Sequence, residues 1–172
     1  MPVHRRHDPE KSLVGFIVGE VHYAVPISRV RELTNPRAVI TVPHAPAAVA
    51  GVADYRGEVV PVVDLRVRFG LESIPATRRT KWIVVDLGDR FVALVVDAIT
   101  DVFGTGGAEL RPAPPLGGGE DLRGFAGVTS LGDHTVFVLE ASRFGELTAP
   151  VIGRPPSNPG LMAPVIAQQR KP

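Results

Sequence analysis

The chain has 172 residues, 44% hydrophobic and 22% charged, which is enough apolar side chain for one domain or two small ones. Its 19 basic and 18 acidic residues leave a net charge of +1, so no bulk field draws it to nucleic acid or a membrane. Cysteine is absent, which excludes disulfides, thiol catalysis and cysteine-ligated metal and fits a reducing, cytoplasmic setting.

Residues 1–11 are polar and are expected to form a flexible arm. Their positive charge is not followed by an apolar core, so they are not a secretory signal. No apolar run reaches the ~20 residues of a helical bilayer crossing, and no direct membrane insertion is expected. The 18 glycines and 17 prolines make up roughly a fifth of the chain, against about 12% on average. Punctuation this dense favours many short strands.

LVGFIVGEVHYAVPI predicts a hairpin around Gly19-Glu20. SRVRELTN is the best short-helix candidate, with Ser28 as its cap and Asn35-Pro36 as its stop. AVITVP reads as a strand, and HAPAAVAGVADYRG as a helical turn and a loop. EVVPVVDL is a buried strand in which Pro61 implies an edge or a bulge. KWIVVDL and RFVALVVDAITDVF flank Gly88-Asp89 as the clearest hairpin in the chain. AELRPAP follows a glycine-rich bend. GFAGVTSL and HTVFVLEA make a further hairpin at Gly132-Asp133, and ASRFGEL closes with a helical turn. The proline-rich stretch 149–172 is expected to be disordered apart from one docking segment at 161–166. A faint echo between VVDLRVRFG (62–70) and VVDAITDVFG (95–104) suggests two β modules, divided near 72–81.

No enzyme signature emerges. No two of His4, His7, His22, His44 and His134 stand at the i, i+4 spacing of a helical zinc site. Asp64, Asp86 and Asp97 each end an apolar strand, where hydrogen bonding to the following turn is the ordinary role. GTGG (104–107) and GGG (117–119) have neither dinucleotide nor P-loop spacing, and no serine lies in G-x-S-x-G. Catalytic, cofactor and metal residues are therefore all expected to be none. Arg66, Arg68, Arg78, Arg79 and Lys81 form a basic run. A small β-barrel that binds nucleic acid is the reading from a different class, but aromatics are only 6% and Asp64 and Glu72 dilute the charge. A solvated face is favoured.

GVADYRGEVVPVVDLRVRFG (51–70) resembles the G-V-x-N-x-R-G-x-x-x-P-V-x-D-L-R-x-x-F stretch of the CheW family, the coupling proteins of bacterial chemosensory arrays. The likeness continues in order through HYAVPISRVRELT, DLGDRFVALVVDAITDV, AELRPAP and FAGVTSLGDHTVFVLEASRF, covering about 13–147. It implies an all-β fold with short helices, two small SH3-like β-barrel subdomains packed side by side within 12–148. It also implies a non-enzymatic, cytoplasmic scaffold recruited to receptor arrays. Such a scaffold links chemoreceptor cytoplasmic tips to the regulatory domain of a chemosensory histidine kinase.

On the same resemblance, Val30, Glu32, Asp54, Tyr55, Arg56 and Gly57 belong to the receptor-binding surface. For Arg56 two roles stand open: contact with a partner, or an internal pair with a carboxylate such as Glu32 that braces the barrel. The chain departs from the family where Asp54-Tyr55 replaces the usual Asn-Leu before Arg-Gly. An Asp54 carboxylate beside Arg56 would change what the guanidinium binds. That substitution motivates the alternative of a divergent paralogue keeping only one of the two partners.

Overall fold

The computed structural model describes residues 11–104, 110–112 and 124–152. The expected arm up to residue 10, the docking segment, GGG and most of AELRPAP lie outside them. Among the described residues run ten strands: β1 (Ser12–Val18), β2 (Val21–Pro26), β3 (Val30–Thr34), β4 (Val49–Tyr55), β5 (Glu58–Asp64), β6 (Lys81–Asp86), β7 (Phe91–Val96), β8 (Ala98–Gly104), β9 (Phe125–Leu131) and β10 (His134–Leu139). Two helices join them, α1 (Leu65–Arg68) and α2 (Arg143–Ile152), with a 3-10 turn at Ile27–Arg29. No helix among these residues is long and apolar enough to cross a membrane.

The strands form two five-stranded sheets, ordered β8-β1-β2-β10-β9 and β3-β6-β7-β5-β4. This is the mostly β fold of two SH3-like subdomains. Neither sheet follows from cutting the chain in half. The segment 72–81, where the internal echo suggested a division, connects β5 and β6 of the same sheet. The first sheet is built from both ends of the chain and the second from its middle.

Three apolar clusters explain why the strands read as nearly unbroken hydrophobic runs rather than alternating ones. Trp82 and Val84 of β6 point into the second sheet's own interior, with Ala53, Tyr55, Val60, Val62 and Ala93. Their neighbours Ile83 and Val85 turn the other way. They join Val14, Phe16 and Val25 of the first sheet and Val63, Leu94 and Val96 of the second in one shared core. Leu13, Ala24, Phe103, Val136 and Val138 fill the first sheet's interior. Burying a Val, Leu or Ile side chain stabilises by about 1.5–3 kcal/mol, so the shared cluster fixes the two sheets side by side.

Several local expectations change. SRVRELTN is a 3-10 turn without a side-chain cap, followed by β3, which pairs with β6. A helix of eight residues is marginal alone, and the exposed edge of β6 offered backbone partners that it could not match. HAPAAVAG does not continue as a helix either. From Val49 onwards alternate residues are buried, and Val49–Tyr55 pairs with β5. AVITVP contributes a single bridge, Ile40 to Val52. RFVALVVDAITDVF breaks at Asp97, where the chain leaves one sheet for the other.

Pro61 lies in an interior strand, not at an edge. Its partner Val52 directs its own backbone groups to Ile40 on the far side, so this pair exchanges no bonds. The parallel ladder to β7 begins only at Val62, and the missing N–H costs nothing. At the other end, α2 runs through Pro150 to Ile152, so the tail expected from 149 starts inside a helix.

Candidate functional site

The β4–β5 hairpin closes at Tyr55 opposite Glu58, leaving Arg56-Gly57 as a two-residue turn. Both residues have positive φ, 50° and 84°, the signature of a type I′ turn that matches strand twist. Glycine adopts this freely, whereas arginine does so against a steric penalty. Asp54 helps hold the turn by accepting the Gly57 N–H at 2.9 Å. The Asp54 carboxylate therefore caps the turn and does not neutralise Arg56.

The partner of Arg56 is Glu32 of β3. Its Nε and Nη2 reach Glu32 Oε2 at 3.1 Å and 3.0 Å, and the Tyr55 hydroxyl donates to the same oxygen. The cluster has a particular place in the fold, because β3 and β4 are the two edge strands of the second sheet. Glu32 ties one edge to the other and closes the barrel. Bracing, one of the two roles open to Arg56, is thus present, yet the arginine side chain stays 63% exposed.

The electrostatics follow from these contacts. The hydrogen bonds from Tyr55 and Arg56 hold the Glu32 carboxyl below its ordinary range. Burial, then the hydrogen bond to Glu32, pushes the Tyr55 hydroxyl up. Bonding to Glu32 raises Arg56 further. Tyr55 itself is 2% exposed, edge-on to Phe91 at 6.0 Å. The guanidinium carbons of Arg37 and Arg56 lie 5.6 Å and 5.7 Å from its ring centre. Arg37 was not singled out in the sequence. It lies between elements, and only the folded chain brings it to Tyr55.

Of the six residues taken as the receptor-binding surface, five come together: Glu32, Asp54, Tyr55, Arg56 and Gly57. Val30 does not join them. A register shift in β3 sets Val30 opposite Val85 and Glu32 opposite Val84, and those two valines belong to different clusters. Val30 accordingly packs against the shared core. Beside Glu32 on the same strand, Leu33 and Thr34 line a shallow open groove with Asn35, Lys81 and Ile99. Lys81 Nζ donates to Asn35 Oδ1 at 2.7 Å.

The basic run is partly consumed by the fold. Arg66 pairs with Asp97 at 2.6 Å and donates to the Glu72 carbonyl. Asp64 accepts from the Arg66 N–H and the Ser73 hydroxyl, Asp86 from Gly88 N–H and Asp97 from Gly19 N–H. Asp64 and Asp86 hold the backbone that follows them, as expected of strand-end carboxylates, whereas Asp97 holds the distant β1–β2 turn. Among the described residues no three His, Asp or Glu side chains gather as a metal site.

Two barrels fused through one core, presenting a braced but exposed arginine, have the architecture of a scaffold that offers fixed surfaces to other proteins. Comparison with known proteins agrees. Residues 12–146 match the CheW-like domain family. The chemotaxis protein CheW of Rhizobium meliloti (strain 1021) is 34% identical over 130 residues, covering 76% of this chain and 84% of that protein. Protein FrzA of Myxococcus xanthus is 30% identical over 134 residues, covering 78% and 77%. The crystal structure of the scaffolding protein TtCheW from Thermoanaerobacter tengcongensis superimposes with a TM-score of 0.68 at 24% identity, covering 76% of this chain and 89% of that one. The chain belongs to the CheW-like family, the adaptor and scaffold proteins of chemotaxis signalling.

Proposed function

We propose that this chain couples the cytoplasmic tip of a chemoreceptor to the regulatory domain of a chemosensory histidine kinase, in the cytoplasm and without catalysis. One observation carries the receptor side: Arg56 is anchored through Glu32 across the barrel closure, yet keeps most of its side chain in solvent. A guanidinium held this way loses little freedom on binding, and its Nη1 is not engaged by Glu32.

For the kinase side, the outer face of the second barrel supplies apolar area. Ile40 is bridged to Val52, and Val59 is paired with Asp54 one step along the same face. Ile40 and Val59 are 69% and 51% exposed. The role is geometric: receptor and kinase are held in register, so that a small receptor motion shifts the kinase equilibrium.

Titration calorimetry with a receptor-tip hairpin and with the kinase regulatory domain tests this. The informative variant is Arg56→Asn, because Asn-Gly is the preferred type I′ turn and the hairpin survives. The wild type is expected to bind both partners at about tens of micromolar or tighter. Arg56→Asn should keep the kinase domain but lose about tenfold or more for the receptor. Equal receptor affinity in the variant removes Arg56 from the interface. Binding of one partner alone gives the specialised paralogue, and binding of neither overturns coupling. Asp54→Asn should leave receptor affinity within about twofold, since an asparagine oxygen accepts the Gly57 N–H equally well.

A further inference from the structure

The first sheet is made of two pieces of chain that meet at one ladder. β8-β1-β2 supplies one half and β10-β9 the other. They join where β2 and β10 run parallel, and the registered pairs are only three: His22 with Val136, Tyr23 with Phe137, and Ala24 with Val138. His22 is itself one of those pairs. Its ring stacks on that of His134, two residues before Val136, with centroids 4.1 Å apart and planes 26° apart. Val136 and Ala24 point into the barrel interior, so the two imidazoles cover the end of that core. His22 is half-buried and His134 exposed.

We propose that His22 and His134 form a proton-sensitive latch on this seam, closed near neutral pH and loosened in acid. Two neutral imidazoles stack without penalty. Two imidazolium rings at this distance repel, and their charge lies over an apolar interior. The elements around them offer no compensation. β1 presents Ile17 opposite His22, and β9 presents Leu131 opposite His134 and Thr129 opposite Val136. The carboxylates adjacent in sequence, Glu20 and Asp133, lie in exposed turns. Asp97, whose N–H bonds Ile17, is already held by Gly19 and Arg66. Among the described residues no acid pairs with either ring.

Burial, and then the neighbouring His134, keep His22 below the ordinary 6.5. The sign follows. Well above 6.5 the His22 ring is neutral whether the seam is open or closed, and the latch holds. As pH falls through 6.5 towards and past the lowered value, protons bind the open seam more readily, and closure weakens. The latch rests on the fold alone and does not depend on the coupling role.

Amide hydrogen exchange on the full chain tests it, at about pH 5 and about pH 7.5 with intrinsic rates corrected. Protection at residues 22–24 and 136–138 should fall in acid relative to β6 and β7. The expected loss is about tenfold for each pH unit by which closure lowers the pair's proton affinity. His134→Gln, at an exposed position, should reduce that selective loss to the part set by burial of His22, and bring the His22 titration part of the way back towards an ordinary one by imidazole NMR. His22→Gln should abolish it. A seam that responds no more than β6–β7, or a response persisting in both variants, overturns the latch.

Discussion

Glu32 does three jobs with one oxygen: it accepts the Arg56 Nε–H and the Tyr55 hydroxyl, and it forms an ion pair with Arg56 Nη2. Tyr55→Phe removes one donor from a site where the ring is otherwise buried, and should cost about 1 kcal/mol in urea unfolding. Glu32→Gln should reveal a pH dependence. Its folded carboxyl is held below the ordinary 4.5, so its contribution is complete above that value and fades as pH falls through the lowered one. The urea-midpoint gap between wild type and Glu32→Gln should therefore be widest near neutrality and close in acid. A gap constant with pH would show that charge at Glu32 is irrelevant to barrel closure. The Glu32–Arg56 pairing was foreseen as one of two alternatives once the family resemblance had singled out both residues. The Tyr55 hydroxyl was visible as a departure from the family pattern, but its target was not, because sequence gives no cross-barrel distances.

At the scale of elements, the hairpins were the legible part. Gly19, Gly88 and Gly132 each stand in a turn between two apolar runs, and all three have the positive φ that marks it. Strands that depend on distant partners were not legible. VRELT and AVAGVADY carry spacings compatible with a helical turn, and pairing with β6 and β5 decided against it. The register shift that separates Val30 from Glu32 likewise has no local signal. Gly51 shows how tightly one such pairing is built: a Cβ there would meet the Ile40 carbonyl oxygen at 2.1 Å, and φ is 149°. Gly51→Ala should cost on the order of 2 kcal/mol or more and detach the Ile40–Val52 bridge. Gly132→Ala has open space around it and should cost only about 1 kcal/mol, the left-handed backbone penalty. Equal midpoints for the two variants in urea would mean that the bridge contributes nothing.

For the whole molecule, the family likeness anticipated two barrels but not how the chain divides between them. Long-range pairing such as His22 with Val136 is a property of the fold, and the echo between 62–70 and 95–104 pointed to a sequential split instead. The shared core then makes a claim about cooperativity. Leu94 is fully buried where the sheets meet, and Leu94→Ala should cost about 2–5 kcal/mol. Because that cluster belongs to both barrels, urea unfolding should be one transition. Trp82, the one tryptophan in the chain, reports from inside the second barrel, while the NMR signals of His22 and His134 report from the first. Their midpoints should coincide before and after Leu94→Ala. Midpoints that separate would make the barrels independent units that merely touch.

The interleaving also sets an order of assembly on the ribosome. β3 to β7 emerge consecutively, and the second barrel has all its strands as soon as β7 is clear. β1 and β2 are synthesised first but occupy the middle of the other sheet, and they wait for β8, β10 and β9 to arrive on either side. The earliest hairpin made is among the last to find its partners. A deletion within β1 or β2 therefore strikes the centre of a sheet, and loss of that hairpin takes the first barrel apart.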